Sequence, residues 1–261
     1  MNISLKGKIA LVGGSTRGIG LAITKQLASS GASVCLMSRN QSKMEKIVDQ
    51  LSKDLNQEHT FIKVDFSDFD SFKGIMKDFF NERKIDILIN NTQGPSSGNT
   101  LSKSVDDYQF AFDLLFKNIV YTSSLALDHM KKQNWGRIIN VASVSVREPL
   151  NYLVLSNSIR SAMVSWSKTL SADVASYGIT VNSILTGYFD TERISEIIKD
   201  KAKSLNIKES EVLKSMKELV PLKRLGKPEE YGYLVNFLAS DKASYITGSS
   251  IPIDGGLLKS I

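Results

Sequence analysis

The chain predicts an α/β fold, a doubly wound parallel sheet of seven strands with helices on both faces, and three observations carry that expectation. Short apolar runs alternate with segments of helical period along the whole sequence, and each parallel pairing needs a crossover that a helix supplies. The apolar run Ile9, Ala10, Leu11, Val12 leads straight into glycines at 14, 18 and 20. Ile19, Ala22, Ile23 and Leu27 then recur at helical spacing, so strand, glycine turn and helix follow without a break. With 261 residues, 42% hydrophobic and 23% charged, the composition is that of a folded protein with one large core. A single domain over 1–261 is expected.

Taken in order, the first strand and glycine turn read KIALVGGSTRGIG, and the first helix runs over 19–30. A second strand is expected over 33–38, then a helix whose apolar positions are Met44, Ile47, Val48, Leu51 and Leu55. The third strand (60–64) precedes a helix over 71–81 that turns Phe72, Ile75, Met76 and Phe79 inward. The fourth strand spans 85–90, a long helical stretch 105–133, and the fifth strand 137–142. A helix over 152–177, a sixth strand (180–185), a last helix (228–240) and a seventh strand (249–253) complete the alternation. One segment departs from it. Residues 190–222 are lysine-rich yet carry Ile194, Ile197, Ile198, Leu205, Val212, Leu213, Met216 and Leu219, a pattern of one or two amphipathic helices. At the ligand edge of the sheet such an insertion is expected to act as a lid.

A doubly wound sheet binds ligands at the carboxyl ends of its strands. There the turn made of Gly14, Ser15, Thr16, Arg17, Gly18, Ile19 and Gly20 is suited to phosphate: glycine lets the backbone turn tightly, and the first amides and dipole of the helix attract negative charge. Other classes are disfavoured. The 33 Lys and Arg against 27 Asp and Glu give +6, but they are spread without a basic arm or aromatic repeat, so no nucleic-acid partner is expected. The two histidines, His59 and His129, lie far apart and outside metal-ligand spacing, so no metal is expected. Cys35 sits in an apolar run and reads as a core residue. No stretch approaches a membrane span, and MNISLKGK lacks the apolar centre of a signal peptide, so the expectation is a cytoplasmic protein with no membrane partner.

With that order in place, several motifs together resemble the short-chain dehydrogenase/reductase family, and the 3-oxoacyl-carrier-protein reductases within it, over essentially the whole chain. GGSTRGIG is similar to its cofactor loop, VDFSD to its adenine-side turn, and NNTQG to its NNAG segment. GRIINVASV, ITVNSILTGYFDT and RLGKPEEYGYLVNFLASDKASYITGSSIPIDGG follow in the family's order. The resemblance implies a Rossmann sheet of order 3-2-1-4-5-6-7, a nicotinamide cofactor, and a homo-oligomer, tetramer or dimer. It implies that Asp65 binds the adenine amine, that Asn90 lines the ribose, and that Gly187 and Thr191 lie near the nicotinamide. The cofactor choice follows from charge. An NAD enzyme usually ends its second strand with an acid that binds the ribose 2′-hydroxyl, whereas this chain has Ser38 and Arg39, with Arg17 on the same side. Guanidinium pairs well with phosphate, so NADP(H) is favoured over NAD(H).

The catalytic positions depart from the family's pattern. Its Ser after the fifth strand matches Ser143, but its Tyr, thirteen residues on, falls at Ser156 and its Lys at Arg160. No YxxxK occurs elsewhere in the chain. The family's Asn falls at Leu115, or at Leu114 with a shift of one. Ser156 is a far weaker acid than a phenol of pKa about 10, and Arg160 stays charged, so it can bind a ribose or steady an oxyanion but not shuttle protons. Loss of a positioned general acid costs about 10² to 10⁴ in rate. A substitute phenol is expected at Tyr152, which shares a helix face with Ser156 and Arg160 if the helix begins near Asn151, each step advancing about 40°; otherwise Tyr152 is a packing aromatic of the preceding loop. Tyr188 is a second candidate, Arg147 and Glu148 are candidate pocket residues or a surface pair, and Asn118 replaces the Asn only if its helix is rotated. The leading expectation is an NADP(H)-dependent oxidoreductase acting on a small carbonyl or alcohol, including an acyl thioester, with Ser143 polarising the substrate. The alternatives are a cofactor-binding pseudoenzyme with a regulatory role and a non-redox dehydratase or isomerase.

Overall fold

The computed structural model describes residues 2–260. Seven strands, β1 (Ile9–Gly13), β2 (Ser33–Ser38), β3 (Thr60–Lys63), β4 (Ile87–Asn90), β5 (Gly136–Val141), β6 (Ile179–Thr186) and β7 (Ser250–Ile253), form one sheet of order β3-β2-β1-β4-β5-β6-β7. Every pairing is parallel; Leu11 lies opposite both Cys35 and Leu88, and Ile139 opposite Asn182. The order reverses between β1 and β4, so a crevice opens above their carboxyl ends.

Nine α-helices accompany the sheet among the described residues: α1 (Gly18–Ser29), α2 (Gln41–Gln50), α3 (Phe69–Glu82), α4 (Val105–Phe112), α5 (Asn118–Lys132), α6 (Val154–Val174), α7 (Glu192–Leu205), α8 (Glu209–Leu219) and α9 (Pro228–Ala239). Successive strand residues face opposite sides. Ala10, Val12, Val34, Leu36, Ile87 and Ile89 pack with Ile23 and Leu27 of α1 and Val235 and Leu238 of α9. Leu11, Cys35, Met37, Leu88 and Ile138 pack with Phe72 and Met76 of α3 and Ala126 and Met130 of α5. Cys35 is buried there, and burial pushes its thiol up to about 11, so it is an inert core residue.

Three local features matter at the ligand edge. The stretch expected as one helix over 105–133 is interrupted by a π-helical turn over Asp113–Lys117, where Leu114 and Leu115 point into the core. The segment 190–222 forms two helices, broken at Asn206, whose left-handed φ of 54° closes α7. Their apolar faces, Ile194, Ile197 and Ile198 with Val212 and Met216, make a cluster of their own that Tyr152 and Tyr188 adjoin. Finally, α6 begins at Val154. Gly98 N–H donates to Tyr152 O at 2.8 Å and Val154 N–H to Gly98 O at 3.2 Å, which holds the preceding residues extended against the loop after β4.

Candidate active site

The carboxyl ends of β1, β2, β4, β5 and β6 surround a cavity of about 600 Å³, with the start of α7 along one side. The glycine turn forms its floor. Gly14 and Gly18 have φ of +55° and +50°, values an L side chain tolerates poorly. Arg17 stands extended at the N-cap of α1 without a side-chain cap, and the first turn holds no acid, so the leading amides remain able to meet an anion. Gly14, Thr16, Arg17, Gly18, Ile19 and Gly20 all line the cavity. Ser15 does not: it is buried, and its hydroxyl accepts the Met37 N–H at 3.0 Å, tying the turn to β2. Its expected place in the wall is therefore corrected to a strut beneath it.

At the end of β2 the wall is Ser38, Arg39, Asn40 and Lys43. Asn40 caps α2 by accepting the Lys43 N–H at 3.0 Å, which sets Lys43 beside Arg39 as a second cation. Asp65 lies just beyond β3, where its carboxylate accepts from Ser67 N–H at 2.9 Å and Ser67 Oγ–H at 2.6 Å. Its neighbour Phe66 forms the wall at this point. Asn90 departs from expectation. Its side chain turns inward, donating to Asn140 Oδ1 at 2.7 Å and to Ser123 Oγ at 3.1 Å, and Asn140 donates in turn to Ser167 Oγ at 2.7 Å. The cavity wall belongs instead to Asn91, which donates to Gly13 O at 2.9 Å. A lone polar side chain in a fully buried strand must find partners inside, and in β4 the last strand residue is the one facing the core.

At the far end Ser143, Ser156 and Arg160 converge on the same cavity. Ser143 follows β5 in extended backbone, and its Oγ accepts the Ser145 N–H at 3.1 Å, which leaves the hydroxyl hydrogen to donate elsewhere. Arg160 is only 8% exposed and donates from Nη1 to Val141 O. Burial lowers its pKa to about 10, with the Arg193 charge lowering it further and Tyr231 opposing, so the guanidinium stays protonated at neutral pH. Tyr231, buried on α9 behind the β6 end, shares a hydrogen bond with Thr186 Oγ1 at 3.1 Å, and burial raises its phenol. Gly187 and Thr191 both line the cavity, Thr191 as the N-cap of α7.

Tyr152 does not share a helix face with Ser156 and Arg160, because α6 starts two residues after it. It packs as a loop aromatic under α7 and α8, with its hydroxyl 3.4 Å from that of Tyr188 and the Lys201 ammonium 5.1 Å from its ring centre. Both tyrosines still line the cavity. Burial, then the neighbouring Tyr188, raises the Tyr152 phenol above its ordinary value, the wrong direction for an easily ionised proton donor. Asn118 donates to Phe66 O at 2.7 Å, away from this cavity, and Arg147 and Glu148 serve the chain's end: Arg147 donates to Ser250 O at 3.3 Å, and Glu148 accepts from Lys259 and Ser260 N–H, each at 2.7 Å.

The start of α7 supplies residues that sequence reading passed over. Arg17 pairs with Glu192 at 2.7 Å and Glu196 at 3.6 Å. Arg193 donates to Pro95 O at 2.8 Å and pairs with Glu196 at 3.4 Å. The helix is thus tied to the glycine turn on one side and to the loop after β4 on the other. The signal was there, since Glu192 and Glu196 at i and i+4 share one face, but their partner lies 175 residues away. Among the described residues no cluster of three or more His, Cys, Asp or Glu is placed to hold a metal, and no helix is long and apolar enough to cross a membrane.

A fold of this strand order with a glycine turn and a Ser at the end of β5 defines a class, and comparison with known proteins gives the same answer. The family model described as Enoyl-(Acyl carrier protein) reductase matches residues 14–258. The chain belongs to the short-chain dehydrogenase/reductase family, within its 3-oxoacyl-carrier-protein-reductase-like part. It is 34% identical to the 3-oxoacyl-[acyl-carrier-protein] reductase FabG of Chlamydia pneumoniae, over 98% of this chain and 99% of that one. It is 31% identical to the NADPH-dependent reductase BacG of Bacillus subtilis, over 97% and 99%. Among solved structures it is similar to L-sorbose reductase from Gluconobacter frateurii complexed with NADPH and L-sorbose, with TM-score 0.91, 28% identity and full coverage of both chains. YwfH, an NADPH-dependent reductase of bacilysin biosynthesis, also superposes with TM-score 0.91, at 30% identity over 97% and 99% of the two chains.

Proposed function

We propose that the chain is a single-domain NADP(H)-dependent reductase that interconverts a small carbonyl compound and its alcohol, with α7 and α8 as a lid over the substrate end. One observation carries this reading: a single cavity joins the open amides of α1, the Arg39 and Lys43 cations, and the Ser143 hydroxyl. The open amides suit a pyrophosphate and the two cations a 2′-phosphate, and relatives named or crystallised as NADPH-dependent reductases support the same cofactor.

When bound, NADPH supplies a hydride to the carbonyl carbon. Ser143 donates a hydrogen bond to the carbonyl oxygen, and the nearby positive charge of Arg160 favours the negative charge that grows there as the bond's electron pair moves onto oxygen. With no phenol in the family's position, the Ser156 hydroxyl passes a proton from solvent to that oxygen, accepting one as it gives another. Gly187 and Thr191, which line the cavity, would border a bound nicotinamide, and Asp65, next to the wall residue Phe66, would meet its adenine. A second reading, a cofactor-binding protein without turnover, is favoured by one observation: Ser156, Arg160 and the buried Leu115 occupy the positions of the family's Tyr, Lys and Asn.

The test is NADPH oxidation by the purified protein over a panel of aldehydes, ketones, oxo acids and 3-oxoacyl thioesters, compared with Ser143→Ala. The reductase reading expects turnover with part of the panel, lowered about 10²- to 10³-fold by the substitution, as for loss of one oxyanion donor. Tight NADPH binding with no oxidation of any panel member overturns it in favour of the second reading.

A further inference from the structure

The charges around the cavity do not balance at its substrate end. Its lining holds five cations, Arg17, Arg39, Lys43, Arg160 and Arg193, against two carboxylates, Glu192 and Glu196. Both carboxylates are occupied, Glu192 by Arg17 and Glu196 by Arg17 and Arg193. Arg39 and Lys43 sit at the β2 end, where a dinucleotide 2′-phosphate belongs, and the pyrophosphate belongs over the amides of α1. Arg160 is left. It is 8% exposed, lines the cavity beside Ser143 and Ser156, and makes one hydrogen bond, to the Val141 carbonyl. No acidic side chain pairs with it among the described ion pairs. A buried guanidinium has five donors in a planar fork and is costly to leave without an anion. The nicotinamide end of a dinucleotide offers this guanidinium ribose hydroxyls but no negative charge, so an anion that pairs with it arrives with the substrate.

We infer that the substrate is an oxo acid, with a free carboxylate one or two carbons from the reacting carbonyl, and that Arg160 receives that carboxylate while Ser143 holds the carbonyl oxygen. The inference rests on the reductase reading and narrows it. The fork geometry suits the pairing, since guanidinium meets a carboxylate through two parallel N–H···O bonds. Arg193, close enough for its charge to depress the Arg160 pKa, adds positive potential at the same end. The exchange of the family's Tyr and Lys for Ser156 and Arg160 then has a physical sense. A serine frees the volume of a phenol ring beside the guanidinium, and the space admits a carboxylate. A 3-oxoacyl thioester, which has no free carboxylate near its ketone, leaves Arg160 unpaired.

The experiment measures binding to the NADPH-saturated protein by calorimetry for pairs of 2-oxo and 3-oxo acids, each beside its primary amide, with a 3-oxoacyl thioester as a third arm. NADPH oxidation is followed in parallel. In the wild-type protein the acid is expected to bind roughly a hundredfold or more tighter than its amide, the scale of pairing a desolvated charge. Arg160→Gln is expected to bring the two within a few-fold, and because the wild-type comparison stands alone, a variant that fails to fold does not affect it. Equal binding of acid and amide, preference for the thioester, or no binding of any acid overturns the inference. Reduction of neutral ketones with no preference for acids overturns the inference and keeps the reductase reading. A strong acid preference without any NADPH oxidation does the reverse.

Discussion

Arg17 is paired with carboxylates of α7, and whether a 2′-phosphate competes for it can be measured. In the structure it pairs with Glu192 at 2.7 Å and Glu196 at 3.6 Å, the two side chains of the closer pair being 46% and 59% exposed. If Arg17 helps hold the 2′-phosphate, Glu192 competes with the cofactor for it. Glu192→Gln removes that competition. An exposed ion pair is worth about 0.2 to 1 kcal/mol, and Glu196 keeps part of the attraction, so the gain in NADPH affinity is expected to be about 1.4- to 5-fold. The assay is a fluorescence titration of NADPH and NADH into wild type, Glu192→Gln, Arg17→Gln and the double variant. NADPH should tighten in Glu192→Gln and NADH should not, because NADH lacks the phosphate. The double variant should show no gain over Arg17→Gln alone. Raising the salt concentration should shrink the effect, since the pair is exposed. Equal tightening of both cofactors, or none of either, refutes the shared role of Arg17.

Further expectations concern specificity, catalysis and stability. Arg39→Asp replaces a cation with the charge that repels a 2′-phosphate, and should weaken NADPH binding about 10- to 150-fold, the range of a charged hydrogen bond of about 1.5–3 kcal/mol, while NADH binding improves or holds. The paired change Ser156→Tyr with Arg160→Lys puts a phenol and an ammonium at the positions expected of the family's Tyr and Lys, and should raise the reduction of neutral ketones while lowering any preference for acids, as read by steady-state rates. Asn90→Ala leaves Asn140 and Ser123 without their buried donor, and should cost about 1–3 kcal/mol in urea unfolding with less than a twofold change in NADPH affinity. The buried phenols of Tyr152 and Tyr231 are both raised in the folded chain. Their contribution to stability is complete below an ordinary phenol pKa of about 10 and is lost as pH rises past it. The buried Cys35 thiol, pushed up to about 11, adds a loss that begins near its ordinary value of about 8.5, so unfolding midpoints should hold up to about pH 8 and fall above it.

The sheet was legible because its signals are local. Runs such as Leu11 and Val12, or Ile138 and Ile139, are too short for helices and are bounded by glycine or helical period, and seven of them with crossovers leave few topologies. Boundaries set by tertiary contacts were less legible. Nothing near Tyr152 says that the loop after β4 will hold it extended through Gly98, and that contact decides whether it joins the face of Ser156 and Arg160. The π-helical turn that buries Leu115 interrupts a stretch whose period reads as continuous helix. Within the candidate site the glycine turn, Arg39, Ser143, Ser156 and Arg160 follow from motif and spacing and do share one cavity. Asn90 and Asn91 are adjacent, and only the strand's register decides which of them faces inward. Lys43 was readable as the third residue of a capped first turn beside Arg39, whereas the ties from α7 to Arg17 and Pro95 span about a hundred residues or more, so the local i, i+4 pattern of Glu192 and Glu196 shows an acidic face without its partner.

Hydride transfer in this cavity, with Ser156 and Arg160 beside Ser143, can be tested directly. The direct measurement is a single turnover with NADPH carrying deuterium at the transferable position of its nicotinamide, followed by mass analysis and NMR of the product alcohol. A reductase gives one deuterium at the former carbonyl carbon, in a single configuration, and loses it with Ser143→Ala on the same time scale. Saturating NADPH binding with all deuterium retained on the cofactor, across oxo acids and neutral ketones alike, contradicts hydride transfer.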